Sequence, residues 1–313
     1  MKKKTAFLFP GQGSQFVGMG LDLYEEYDFV REIFDMTDEI TKTHISRLCF
    51  KGPMEDLTLT VNLQPAVTAV NLSVLAVLEK EGVRPDWVAG HSLGEYSALK
   101  AAGVTTAEGT VKLVFERGRL MHREASKNQG AMHAIIGLEI DTVREIVSQA
   151  AKKGVVAVAN HNAAKQIVTT GAPEPVEYAS ELATQQGAKA IPLKVSGAWH
   201  SELIRGAEKD FRAFLQQIPF QAPVIPLIFN VTADVESDPD QISDIMARQL
   251  CSPVRWYDSM CRLQDEGVEI FAEIGPKRVL TGLLRKIVPD NYDHQTFNVD
   301  SMKGLEKFLN AMT

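Results

Sequence analysis

Ser92 is the residue best placed by type and spacing to do chemistry. It lies in Gly90-His91-Ser92-Leu93-Gly94, after the apolar Trp87-Val88-Ala89 and before Glu95-Tyr96-Ser97-Ala98-Leu99. A strand, a sharp turn carrying serine and then a helix is the pattern of a nucleophile elbow. The flanking glycines remove Cβ atoms where the chain bends, which presents the hydroxyl at a strained tip. The helix that follows turns its free N–H groups toward the same point, where an oxyanion would form. The same five residues also arise by chance in loops; here the strand and helix signals on either side argue for the elbow.

A serine hydroxyl is inert at neutral pH without a base. The histidines are His44, His91, His122, His133, His161, His200 and His294. His91 adjoins Ser92, but neighbours at a sharp turn point apart. His200 is the better candidate: it ends the small-residue segment Val195-Ser196-Gly197-Ala198-Trp199-His200 between a strand and a helix, where loop-borne catalytic residues belong. A surface-loop histidine fits the same pattern. No acid between serine and histidine stands out as a third member. A dyad whose Nδ1–H is held by a backbone carbonyl is therefore as compatible with the sequence as a full triad.

Two further segments invite a role. Pro10-Gly11-Gln12-Gly13-Ser14-Gln15 follows the first strand. It lacks the Gly-Lys-Ser/Thr of a phosphate loop, and Phe16 replaces the third glycine of a dinucleotide fingerprint. A loop of backbone donors for an oxyanion and a plain tight turn both remain. Arg117 and Arg119 flank Gly118 on a helix. A helical glycine costs about 1 kcal/mol against alanine, which points to a close neighbour there. One arginine could face inward and grip a carboxylate with its fork, or both could be solvated. No metal-ligand spacing is present, and a metal site is not expected.

The chain has 313 residues, 45% of them hydrophobic, and a net charge of −7. These values suit a globular protein with a proper core and offer no basic stripe for nucleic acid. Lys2-Lys3-Lys4 precedes an apolar run too short for a signal core or a membrane span. Cys49, Cys251 and Cys261 form no CxxC, so a reducing cytoplasm is expected. Strands are expected over Lys4 to Pro10 and Val83 to Ala89. Helices are expected over Leu21 to Thr41, from near Pro65 to Glu81, from the elbow to about Ala102, and over Thr106 to about Ser126. The texture then changes to β-α-β-β-α-β: Ala131 to Leu138, Asp141 to Lys152, Val155 to Asn160, Gln166 to Thr170, Pro173 to Gln186 and Ala188 to Val195. That order is the ferredoxin-like unit. It gives an inserted subdomain over 128–196 within a discontinuous α/β body, 1–127 and 197–313, with a cleft between them. The body resumes with strands Pro226 to Asn230 and Glu269 to Glu273. Its helices are Asp238 to Leu250, Trp256 to Glu266 and Val279 to Ile287.

Taken together, these residues resemble the malonyl-CoA:acyl carrier protein transacylases and the acyltransferase domains of polyketide synthases. The shared landmarks run the whole length: Phe9 to Gln15, Gln64-Pro65-Ala66, Gly90 to Tyr96, Arg117-Gly118, Asn162 with Gln166, Ser196 to Ser201, Asn230 to Ala233, Pro253 to Trp256 and Glu273 to Pro276. The resemblance implies an α/β-hydrolase-like body with a parallel sheet and a ferredoxin-like insert. It implies that Ser92 carries the acyl group as an ester and that His200 deprotonates it. Gln12 and Leu93 would donate backbone N–H groups to the oxyanion, Arg117 would hold the malonyl carboxylate, and the Gln249 carbonyl would orient His200. The implied reaction moves malonyl from malonyl-CoA to the phosphopantetheine thiol of acyl carrier protein in fatty acid synthesis, with no cofactor, no nucleic acid or membrane partner, and a monomeric cytoplasmic enzyme. A free-standing acyltransferase of a polyketide assembly line and a serine hydrolase that clears carriers are the alternatives. Two positions depart from the family pattern. Trp199 replaces the usual Phe before the histidine and should exclude a 2-methyl branch, and Ile204 replaces the usual Met, leaving the pocket wall open to revision.

Overall fold

The computed structural model describes residues 3–312, so Met1, Lys2 and Thr313 lie outside the described residues. The strands are β1 (Lys4–Phe9), β2 (Trp87–Gly90), β3 (Ala131–Ile136), β4 (Val156–Ala163), β5 (Gln166–Gly171), β6 (Lys189–Pro192), β7 (Leu227–Ile228), β8 (Val268–Ile274) and β9 (Gln295–Val299). Five of them form a parallel sheet in the order β7-β2-β1-β8-β9. β1 is buried from Thr5 to Phe9, as expected for a central strand covered on both faces. Leu8 pairs with Ala89 and Phe9 with Gly90. The carboxyl ends of β1 and β2 therefore lie side by side, and the Pro10 loop and the Ser92 turn emerge next to each other, the usual place for a site in an open parallel sheet.

The remaining strands form a separate antiparallel sheet in the order β4-β5-β3-β6. The helices Ile140–Ala150 and Pro173–Gln185 pack on it. Ile135, Val143, Ile146, Ile167, Val176 and Ala179 close a core of their own. The chain thus contains the expected β-α-β-β-α-β order as a mixed α/β arrangement with two sheets.

Several boundaries differ from expectation for identifiable reasons. The helix expected from near Pro65 begins a turn earlier and runs Thr60–Lys80. Pro65 forfeits one backbone bond, and tertiary packing compensates: a Cβ on Gly118 would lie 3.0 Å from the Thr60 carbonyl. This is the close neighbour that the helical glycine foretold. The Thr60–Lys80 helix is long and apolar enough to cross a membrane, yet 83% of that window is buried inside the protein, which accounts for its composition. The Leu21 to Thr41 stretch breaks at Tyr27 into Leu21–Glu26 and Asp28–Thr41. β6 stops at Pro192 instead of Val195: Leu193 N–H makes a last bond to the Met132 carbonyl at 2.9 Å, and Leu193 and Val195 line a cavity. Helices Ile45–Lys51, Met54–Thr58 and Met302–Met312, and edge strand β9, were not anticipated.

Candidate active site

The Ser92 turn is held by shape and by polar clamps. A Cβ on Gly94 would lie 1.9 Å from the Phe9 carbonyl, and one on Gly90 would lie 2.2 Å from Gly94. Only glycine permits this approach of strand, turn and helix. Ser92 itself has φ of 50°, the strained left-handed conformation expected of an elbow nucleophile. Asn230, two residues after β7, clamps the turn: its Oδ1 accepts from Ser92 N–H at 2.7 Å and its Nδ2 donates to the Gly90 carbonyl at 2.7 Å.

His200 meets Ser92 across 108 residues of chain, with Nε2 2.8 Å from Oγ. The loop that carries it is pinned by Ser201, whose Oγ donates to the Ala198 carbonyl at 2.7 Å. Nδ1 lies 2.9 Å from the Gln249 carbonyl and 3.0 Å from the Ser252 carbonyl. Both are acceptors, so Nδ1 carries the proton and Nε2 offers its lone pair to the Ser92 hydroxyl. Gln249 follows the helix Pro239–Arg248, and its carbonyl does the job an acid does in a triad. Ser252 shares that job and was missed. Burial, with Arg117 adding to it, pushes the His200 imidazole down from 6.5 to about 3. His91 points elsewhere, with Nε2 2.8 Å from Asn162 Oδ1 and its ring edge against Trp256.

Arg117 faces inward and is only 2% exposed. Nη2 donates to Ser92 Oγ at 3.2 Å, Nη1 to Gln64 Oε1 at 3.0 Å, and Nε and Nη2 to Gln249 Oε1 at 3.3 and 3.1 Å. Its guanidinium also lies 5.4 Å from the Tyr96 ring centre. All these partners are neutral. Arg119, by contrast, pairs with Glu116 on the surface.

Gln12, Ser92, Leu93, Arg117, Trp199 and His200 share one cavity of about 120 Å³, closed by Met121 from the body and by Met132, Asn160, Leu193 and Val195 from the antiparallel lobe. The backbone N–H groups of Gln12 and Leu93 have no hydrogen-bond partner among the described residues. Trp199 packs its ring on Gly197 and is 5% exposed. Ile204 is buried and does not line the cavity. A larger groove of about 720 Å³ around Met36, Phe115 and Phe214 holds no nucleophile and base together. No cluster of His, Cys, Asp or Glu among the described residues is arranged to hold a metal ion.

Gln64, Glu95, Asn230 and the Gln249 side chain are parts of this site whose roles were not read from sequence. The available signal was a polar residue within or closing an apolar run: Gln64 in the buried helix, Asn230 after Leu-Ile-Phe, and Glu95 among Leu, Tyr and Ala. What the set can do is remove a proton from Ser92 while a neighbouring cation and two free N–H groups await developing negative charge.

The sequence matches the family model described as acyl transferase domain over residues 6–304. The chain is 44% identical over 286 residues to the malonyl CoA-acyl carrier protein transacylase of Bacillus subtilis, covering 91% of this chain and 90% of that protein. The crystal structure of an acyl carrier protein S-malonyltransferase from Vibrio cholerae superimposes with a TM-score of 0.93 at 40% identity, covering 97% of this chain and 99% of that one. A malonyl-transacylase solved in complex with a type II PKS acyl-carrier protein superimposes with a TM-score of 0.94 at 35% identity, covering 98% of this chain and 99% of that one.

Proposed function

The chain belongs to the acyl transferase domain family, and from that premise we propose the following mechanism for an S-malonyltransferase that moves malonyl from malonyl-CoA to acyl carrier protein in fatty acid biosynthesis. Ser92 attacks the thioester carbonyl and gives its proton to His200 Nε2. The Gln12 and Leu93 N–H groups receive the oxyanion, and the CoA thiolate leaves with the proton from His200. The carrier's phosphopantetheine thiol then attacks the Ser92 ester, with His200 again as base. Two thioesters of similar energy are exchanged, so no cofactor is needed, only a covalent halfway point shielded from water.

One observation carries this reading: a buried guanidinium, surrounded by neutral acceptors, reaches to 3.2 Å of the Ser92 oxygen. An acyl group on Ser92 would bring its free carboxylate to that fork. Trp199 would narrow the pocket against a 2-methyl branch, worth about 1–3 kcal/mol. The same reading takes 1–127 with 197–313 as an α/β-hydrolase-like body, 128–196 as a ferredoxin-like insert, and the cytoplasm as the compartment. Trapping malonyl on Ser92 by intact-protein mass spectrometry, then adding carrier, tests it. Discharge to the carrier thiol supports transfer, whereas release of free malonate at the same rate without carrier means a hydrolase.

The depressed basicity of His200 fixes the sign of the pH response. An imidazole held down toward about 3 stays unprotonated and competent well below 6.5. The acid limb of Ser92 acylation from acetyl-CoA should therefore fall below pH 6.5, and a limb at or above 6.5 would contradict this environment. The unfolded chain binds that proton first, so this group also lowers folding stability as pH drops through 6.5.

Carrier docking is assigned to the cluster of exposed Arg278, Arg285 and Lys286 with the half-buried Lys277. None of its members has an acidic partner among the described residues, whereas Lys153 and Lys165 of the second cluster, which also holds Lys152 and Lys189, face Glu174 and Glu139. Lys277 Nζ donates to the Gly13 carbonyl and Lys286 Nζ to Gln166 Oε1, so the cluster touches both the Gln12 loop and the antiparallel lobe. Reversing Arg278 and Arg285 to Glu should raise the carrier KM by about tenfold and weaken its salt dependence. An unchanged KM after reversing both clusters would refute docking by either.

A further inference from the structure

Glu95 is a buried acid on the elbow helix, and no cation pairs with it among the described residues. Its Oε1 accepts from the Asn230 backbone N–H at 2.6 Å and its Oε2 from Gln249 Nε2 at 2.6 Å. Both partners are donors, an arrangement that the ionised carboxylate meets with an acceptor at each oxygen. Gln249 Nε2 also donates to the Ser92 carbonyl at 2.8 Å, while its Oε1 faces Arg117 Nε and Nη2. One amide therefore separates a buried anion from a buried cation. Direct pairing of Glu95 with Arg117 would occupy the fork. With the amide between them, Nη1 and Nη2 meet only the neutral Gln64, Gln249 and Ser92 groups among the described residues, and a carboxylate can displace the Gln64 and Ser92 contacts.

We propose that Glu95 is a positioning residue for the acyl carboxylate: it fixes which way the Gln249 amide points, and through that amide it holds Arg117 ready for an anionic acyl group. The proposal rests on the reading that Arg117 receives the malonyl carboxylate. Glu95→Gln is nearly isosteric but brings a donor to a place with two donors. Either its NH2 meets Asn230 N–H, or it meets Gln249. Relieving the second conflict flips the Gln249 amide and turns an NH2 group on the guanidinium.

The experiment measures acyl-enzyme formation from malonyl-CoA and from acetyl-CoA for wild type and Glu95→Gln. The malonyl-to-acetyl ratio of kcat/KM should fall about tenfold or more, through malonyl KM. Parallel loss of both donors, as a merely structural role would give, overturns the proposal, and so does an unchanged or increased ratio. A wild type without malonyl preference would instead sink the reading of Arg117.

If Glu95→Gln does not fold, the wild-type enzyme supplies the same test. Burial raises the Glu95 carboxyl from 4.5 to about 7, and protonation adds the same unwanted donor. The malonyl-to-acetyl ratio should decline as pH falls through about 7. The other ionisable groups around it are Arg117, Tyr96, His200 and His91. The guanidinium keeps its charge. Burial pushes the Tyr96 phenol up and the His200 imidazole down to about 3, so both are neutral in this range, and burial lowers the His91 imidazole as well. Any change at His200 enters both rates and cancels. A ratio that stays flat from about pH 6 to about pH 8 overturns the proposal.

Discussion

Ser92→Ala is expected to leave a folded protein that never carries an acyl group. Without the hydroxyl there is no ester and no halfway point, so incubation with malonyl-CoA should leave its intact mass unchanged, where wild type gains one malonyl group. Transfer to the carrier should drop by about a millionfold, the scale seen when a serine enzyme loses its nucleophile. The fold should survive because Oγ contacts only cavity groups, His200 Nε2 and Arg117 Nη2. The strained turn is set by the Gly90 and Gly94 approaches and by Asn230, none of which involves the hydroxyl. Thermal unfolding of the variant should therefore lie within a few degrees of wild type. Retained transfer with an unmodified mass would mean direct thiol-to-thiol exchange, and Ser92 would lose its role.

Much of this site was legible before any coordinates, because its most demanding members leave strong local marks. The glycines around Ser92 answer to steric contacts that no other residue tolerates. The Gly118 cost in a helix pointed to its close neighbour in the Thr60–Lys80 helix. The absence of a convincing acid left a carbonyl-held dyad as open as a full triad, and two carbonyls against Nδ1 decide for the dyad. The supporting polar residues were less legible. Gln64, Glu95 and Asn230 matter through the direction of their hydrogen bonds, which depends on folded neighbours far away in sequence. The same holds for the edges of the fold. β9 exposes Gln295 and is only partly buried elsewhere except at Val299, so its apolar signal is faint. Met54–Thr58 is a five-residue helix with one buried side chain, Leu57, too short for periodicity to register.

A common logic links the site's two charges. Burying an ion without a partner costs several kcal/mol, yet Arg117 has only neutral contacts within hydrogen-bond reach. Four donations to Gln64, Gln249 and Ser92 and the Tyr96 ring keep the cation tolerable. None of these quenches its charge as a carboxylate would. The guanidinium is therefore underpaired within the protein, and an acyl group that brings its own carboxylate would complete it, as proposed above. Selectivity then follows from what the pocket lacks before substrate arrives.

Arg117→Ala isolates that contribution. Each charge-assisted hydrogen bond to the acyl carboxylate is worth about 1.5–3 kcal/mol. Two such bonds from one fork, if additive, amount to about two to four powers of ten in malonyl over acetyl. The variant should lose malonyl loading by that factor while acetyl loading from acetyl-CoA persists, measured as rates of acyl-enzyme formation by intact mass. The persistence is the sharper half of the prediction, because the Ser92 to His200 bond and the Nδ1 carbonyls do not pass through the guanidinium. Arg117 also touches Ser92 Oγ and spans Gln64 and Gln249, so a structural role would pull down both donors together. Arg117→Lys separates charge from geometry. A lysine keeps the cation but has no planar fork to offer the carboxylate, so it should recover only part of the malonyl preference. Full recovery by lysine would mean that the pocket reads charge alone, and equal loss of malonyl and acetyl in Arg117→Ala would mean that the arginine builds the site without selecting its substrate.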